Sequence, residues 1–104
     1  MATLVNDQNF DAEVVKSDIP VMVDFFADWC GPCKMLMPTV EELAGEWEGK
    51  VKIVKVNVDE SPETAQKYGV MSIPTLLFVA GGEEKDRVTG ALPKDAIVEK
   101  LSSL

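Results

Sequence analysis

Along the chain, runs that are apolar nearly throughout alternate with stretches whose apolar residues recur every three or four positions. Val21-Met22-Val23-Asp24-Phe25-Phe26-Ala27 is the first long apolar run. It has strand length and is rich in β-branched and aromatic residues, which predicts a strand covered on both faces of a sheet. From Cys33 the period becomes helical. Cys33, Leu36, Met37, Val40, Leu43, Ala44 and Trp47 fall on one face, and Glu41, Glu42, Glu46 and Glu48 on the other. Pro38 lies inside this helix, where it removes an amide donor, so a kink is expected one turn after the start. Val51 to Val58 reads as a second strand, interrupted by Lys55. Ser61-Pro62-Glu63-Thr64 then supplies an N-cap, a first-turn proline and an acidic residue for a short helix ending at Gly69. Ile73 to Ala80 is a third buried strand, with Pro74 confined to its start or to an edge. Gly81-Gly82 signals a tight turn into Glu84–Thr89 as a hairpin partner, and a last helix after Pro93 sets Ile97, Leu101 and Leu104 on one side.

Near the N-terminus, Asn9 to Lys16 reads as a short helix with Phe10 and Val14 four apart and Asn6 or Asp7 as its cap. Thr3-Leu4-Val5 before it reads as a short edge strand. The order β-α-β-α-β-α-β-β-α predicts a three-layer α/β/α sandwich: a central mixed sheet with helices on both faces. One half is parallel, built by right-handed crossovers, and an antiparallel hairpin closes the other edge.

Composition narrows the function classes. The 104 residues suit one domain, 1–104, and ten Lys plus Arg against eighteen Asp plus Glu leave a net charge of −8. Such a charge repels phosphate backbones and anionic lipid, so neither nucleic acid nor a membrane is expected as a partner. The absence of histidine removes His general bases, Ser-His-Asp and Cys-His arrangements and every His-containing metal site. Asp7, Asp11, Glu13, Lys16 and Asp18 leave no room for an apolar signal core, and the longest uncharged stretch, Tyr68 to Gly82, is too short and too rich in Gly and Pro for a membrane helix. A cytoplasmic location is the expectation.

The chemistry is expected where the first buried strand hands over to the long helix, at Trp29-Cys30-Gly31-Pro32-Cys33-Lys34. With Cys33 in the first helical turn, Cys30 sits at or before the N-cap, where unpaired amides and the helix dipole favour a thiolate. Cys30 is therefore the natural nucleophile, and Cys33, one turn inside, the natural resolving thiol. Gly31 permits the close approach and Pro32 stiffens the loop where a missing N–H costs little. Two cysteines are too few for a closed four-thiolate zinc site within one chain, so no metal is expected. A zinc half-site shared between two chains and a pair of inert buried thiols stay open on spacing alone.

Asp24 and Lys55 are the charges that interrupt the buried strands. A carboxylate in an apolar run is costly unless paired, so its pKa should rise; the alternative is a strand-end Asp that reaches solvent. Neighbouring strands would let Lys55 approach Asp24 as a partly buried partner, and the alternative is a lysine that snorkels to the surface. For the Ile73-Pro74 bond, base rates alone favour trans.

Taken with Val-Asp-Phe-Phe-Ala at 23–27, Lys-Val-Asn-Val-Asp at 55–59, Ile-Pro-Thr-Leu at 73–76 and Gly-Ala at 90–91, the Trp-Cys-Gly-Pro-Cys-Lys motif resembles the thioredoxin family, in order and across the whole chain. The resemblance implies the thioredoxin fold, a central mixed five-stranded sheet flanked by four helices, and a protein-disulfide reductase working as an electron carrier in cell redox homeostasis. It implies Cys30 and Cys33 as the redox-active disulfide with no bound cofactor, Asp24 as the buried proton acceptor with Lys55 beside it, and Pro74 in the cis form against the disulfide. It further implies a substrate-docking surface of Trp29, Gly31, Pro32, Ile73, Pro74, Gly90 and Ala91, where an extended segment pairs with the Ile73 backbone. The implied partners are protein disulfides and a thioredoxin reductase, flavin-dependent and fed by NADPH; a monomer is expected. Phe26, Ala80-Gly81 and Thr89 depart from commoner residues of the family, and Thr89 bears on partner preference at the docking rim. A binding module that uses the same surface without turnover is the rival reading.

Overall fold

A computed structural model describes residues 1–104. Its elements run β1 (Thr3–Leu4), a single π-helical turn (Asp11–Val15), β2 (Val21–Phe26), α1 (Gly31–Glu46), β3 (Lys52–Asn57), α2 (Pro62–Lys67), β4 (Thr75–Ala80), β5 (Glu83–Thr89) and α3 (Lys94–Ser102). The five strands form one sheet in the order β1-β3-β2-β4-β5. β3 pairs in parallel with β1 and β2, while β4 runs antiparallel to β2 and β5. The mixed sheet with a parallel half and a hairpin edge is the arrangement expected from the sequence.

Strand alternation sorts the apolar runs into two cores. Met22, Ile53, Leu76 and Phe78 pack under α1 and α3 with Leu36, Val40, Leu43, Ile97 and Leu101. Val21, Val23, Phe25, Val54, Val56, Leu77 and Val79 face the other side, against the π turn and α2. Every side chain from Val21 to Phe25 is therefore buried, which is why β2 reads as a continuous apolar run. Full burial is worth about 1.5–3 kcal/mol for each large apolar side chain, so these central strands form the most costly part of the frame to disturb. Gly81 and Gly82 both have positive φ, 61° and 79°, the requirement of the tight turn that joins β4 to β5.

Two local expectations are corrected. The segment expected as a helix over Asn9–Lys16 is a wide π turn, with the Lys16 amide donating to the Asp11 carbonyl; Asn6 Oδ1 caps its entry by accepting from the amides of Gln8 and Asn9. Ser61 does not cap α2 with its side chain. Asp7 does so from 57 residues away: its carboxylate accepts the Glu63 amide at 3.3 Å and both the amide and the hydroxyl of Thr64 at 2.8 and 2.7 Å. α1 continues through Pro38, which leaves the Lys34 carbonyl without its usual helical donor.

Candidate active site

β2 ends at Phe26 and the chain turns through Ala27–Trp29 into α1, so Cys30 becomes the N-cap of the longest helix. Its φ of −86° and ψ of 110° are extended, as a cap requires, and its Sγ accepts the Cys33 amide at 3.2 Å. Cys30 and Cys33 form a disulfide with Cα atoms 5.2 Å apart. Gly31 and Pro32 occupy the first two helical positions, where an absent N–H removes no intrahelical bond. Both cysteines are largely covered: Cys30 is 4% exposed and Cys33 1%, packed with Ala27 and flanked by Phe26, Val58 and Ile73. The Cys33 amide and the positive end of the α1 dipole thus both bear on Cys30 Sγ.

Asp24 lies on the α1 side of the sheet, by alternation with Met22, and is fully buried. Neither carboxylate oxygen has a hydrogen-bond partner. Burial pushes its pKa up to about 7; the Lys55 charge opposes this and the Glu41 charge adds to it. Lys55 stands opposite Asp24 in the β2–β3 register. Its ammonium, however, forms a salt bridge with Glu41 on α1, Nζ to Oε2 at 2.9 Å, and none with Asp24. The direct Lys55–Asp24 pair expected from the strands is thus replaced by a longer-range influence. An opening of about 410 Å³ beside these groups is lined by Phe26, Cys33, Met37 and Lys55, with Asp28 and Lys34 on its walls.

The remaining expected residues gather at the same end of the sheet. The Ile73-Pro74 peptide is cis, against the base-rate expectation and as the family resemblance implies. The Ile73 carbonyl oxygen lies 3.9 Å from Cys30 Sγ. Gly90, at φ 94°, donates its amide to the Pro74 carbonyl at 2.8 Å, which seats the Gly90-Ala91 segment beside the proline. Trp29 is 70% exposed, its indole N–H held by Asp59 at 2.8 Å. Sequence reasoning missed Glu41, placed on the polar face of α1, and Asp59. Neither carries a signal beyond its charge, because each is recruited by a residue distant in sequence.

The family model described as thioredoxin matches residues 1–103. The chain is 58% identical over 95 residues to thioredoxin 2 of Chlorobaculum tepidum, covering 91% of this chain and 87% of that protein. It is 52% identical over 100 residues to thioredoxin 1 of a Nostoc species, covering 96% and 94% of the two chains. To the chloroplastic M-type thioredoxin of Pisum sativum it is 55% identical over 98 residues, covering 94% of this chain and 57% of that protein.

Proposed function

The chain belongs to the thioredoxin family, protein-disulfide reductases that are themselves reduced by thioredoxin reductase, and from that premise we propose a division of labour among its site residues. The Cys30 thiolate attacks one sulfur of a target disulfide; that S–S bond breaks, a target thiolate leaves, and a mixed disulfide joins Cys30 to the target. Cys33 passes its proton to Asp24 and attacks Cys30 Sγ. The second target thiolate then departs, two electrons have moved to the target, and Cys30–Cys33 is left as a disulfide. The observation that carries the assignment is the Cys33 amide donating to Cys30 Sγ at the helix cap, since only one of the two sulfurs is held by a helix-end donor.

Docking follows the same geometry. The Ile73 amide and carbonyl lie outside the sheet ladder, next to Cys30, so an extended target segment can pair with them as an added strand while Trp29, Pro74, Gly90 and Ala91 form the walls. Gly31, which has no side chain, and Pro32 are both exposed beside Cys30. Main-chain pairing reads little of the target's side chains, which suits a reductase of many proteins. Lys55 tunes Asp24 by its charge. No helix is long and apolar enough to cross a membrane. The protein acts as a cytoplasmic monomer of one domain, recycled by a flavin-dependent, NADPH-fed thioredoxin reductase.

Insulin reduction in dithiothreitol tests the reading. The native chain accelerates precipitation of the insulin B chain, and Cys30→Ser reduces this to the rate of dithiothreitol alone. Equal acceleration by both proteins would show that the surface assists without thiol turnover.

A further inference from the structure

Glu41 is the one charged residue between α1 and the sheet to which the exchange chemistry assigns no part. Its carboxylate makes two bonds in different directions: Oε1 accepts the Ala2 amide at 2.7 Å, and Oε2 accepts Lys55 Nζ at 2.9 Å. The groups around Asp24 can be counted element by element. From β3 comes Lys55 and from α1 comes Glu41, whereas β4 presents Leu76 opposite Asp24 and α3 brings Ile97 and Leu101 to the same core, neither element adding a charge. Asp28 and Lys34, beside the opening, are exposed. The only cation facing Asp24 is therefore tied to another carboxylate, although Lys55 and Asp24 are register partners on adjacent strands.

That arrangement has a chemical consequence. A carboxylate paired directly with an ammonium is stabilised as the anion and becomes a weaker base, while proton transfer is most effective when donor and acceptor are matched near the working pH. We propose that Glu41 is a positioning residue for the resolving step: anchored at Ala2 and bonded to Lys55, it holds the ammonium off Asp24 and leaves that carboxylate unpaired to accept the Cys33 proton. The proposal rests on the reading of Asp24 as the acceptor. Burial of Lys55 and Glu41 to about a quarter exposure or less, 21% and 26% of their side chains, keeps their bond from being fully screened by solvent. The shift of Asp24 towards neutrality, driven first by burial, agrees in direction with an added push from Glu41.

The test follows the Asp24 side-chain carboxyl by carbon NMR across pH in four proteins: native, Glu41→Gln, Lys55→Met and the double variant. Release of target from the Cys30 mixed disulfide is followed over the same pH range. Glutamine keeps an acceptor for the Ala2 amide, so the N-terminal anchor survives. Glu41→Gln is expected to lower the Asp24 midpoint by about one pH unit as Lys55 turns to it, and Lys55→Met to raise it. In the Lys55→Met background the effect of Glu41→Gln should fall to less than half, because most of it travels through the ammonium. Release by Glu41→Gln should show an acid limb moved to lower pH and a lower plateau. An unmoved Asp24 midpoint in Glu41→Gln overturns the proposal alone. A lowered midpoint with an unaltered release profile overturns the role of Asp24 in proton transfer, and the proposal with it.

Discussion

Asp24 and Lys55 are register partners on adjacent parallel strands, yet no salt bridge joins them: the ammonium is bonded to Glu41 at 2.9 Å and both Asp24 oxygens are without a partner. An orphaned buried carboxylate is costly to the fold, and such costs persist where the group serves chemistry. The thermodynamic and kinetic consequences of that cost can be measured separately.

Stability should depend on pH through Asp24. Its folded pKa of about 7 lies above the ordinary value of 3.8, so it costs no stability below 3.8 and an increasing amount as pH climbs towards 7. At ~1.4 kcal/mol per pH unit the cost approaches an upper bound of about 4 kcal/mol above pH 7. Asp24→Asn removes it but buries an amide whose own unmet bonds cost about 1–3 kcal/mol. Denaturant unfolding of the oxidised proteins should show Asn stabilising by about 1–3 kcal/mol at pH 8 and giving no gain at pH 3.5. Destabilisation at both pH values would mark Asp24 as an ordinary paired carboxylate.

The same substitution should slow turnover. General acid-base assistance contributes about 10²–10⁴-fold, and water can replace part of it, so loss of the acceptor should slow release from the mixed disulfide by about tenfold or more at pH 7. The initial attack by Cys30 should change little. Rapid-mixing fluorescence resolves the two steps, and equal slowing of both would move Asp24 from the resolving step to the site as a whole.

The long-range cap at α2 predicts an acid-sensitive contribution far from the thiols. Hydrogen bonds from Thr64 hold the Asp7 pKa below its ordinary 3.8. A depressed carboxylate stabilises the fold above its unfolded pKa, and that contribution is lost as pH falls through the lower folded value. Asp7→Ala should lower the melting temperature at pH 7, and the deficit should shrink below pH 3.8. Insulin reduction at 25 °C should be unaffected; a loss of activity there would tie the cap to the site.

Much of this was legible in the sequence, and what was not has physical reasons. β2, β3 and β4 are buried on both faces, so their apolar runs survive as a pattern, and Gly81-Gly82 marks the hairpin. The Cys30 cap could be read because the change from strand to helical period falls on the motif itself. Local rules failed where partners come from afar. Ser61 has the right type and place for a cap, but Asp7 satisfies the same amides. Lys55 faces Asp24 in the ladder, but Glu41 arrives from α1 and takes its ammonium. The Phe10–Val14 spacing marks a buried face correctly, yet cannot tell a π turn from an α-helix over so short a segment.

The central claim is that Cys30 attacks and Cys33 resolves, and trapping of the covalent intermediate tests it most directly. Cys33→Ser and Cys30→Ser proteins are each reacted with a disulfide-containing target, quenched with acid and alkylating agent, and weighed by intact mass spectrometry. Cys33→Ser should accumulate the mixed disulfide on Cys30, because nothing remains to displace the target, whereas Cys30→Ser should accumulate almost none, its one thiol being 1% exposed in the native chain and without the helix-end donor. Equal trapping by the two variants, or predominant trapping on Cys33, would contradict the assignment.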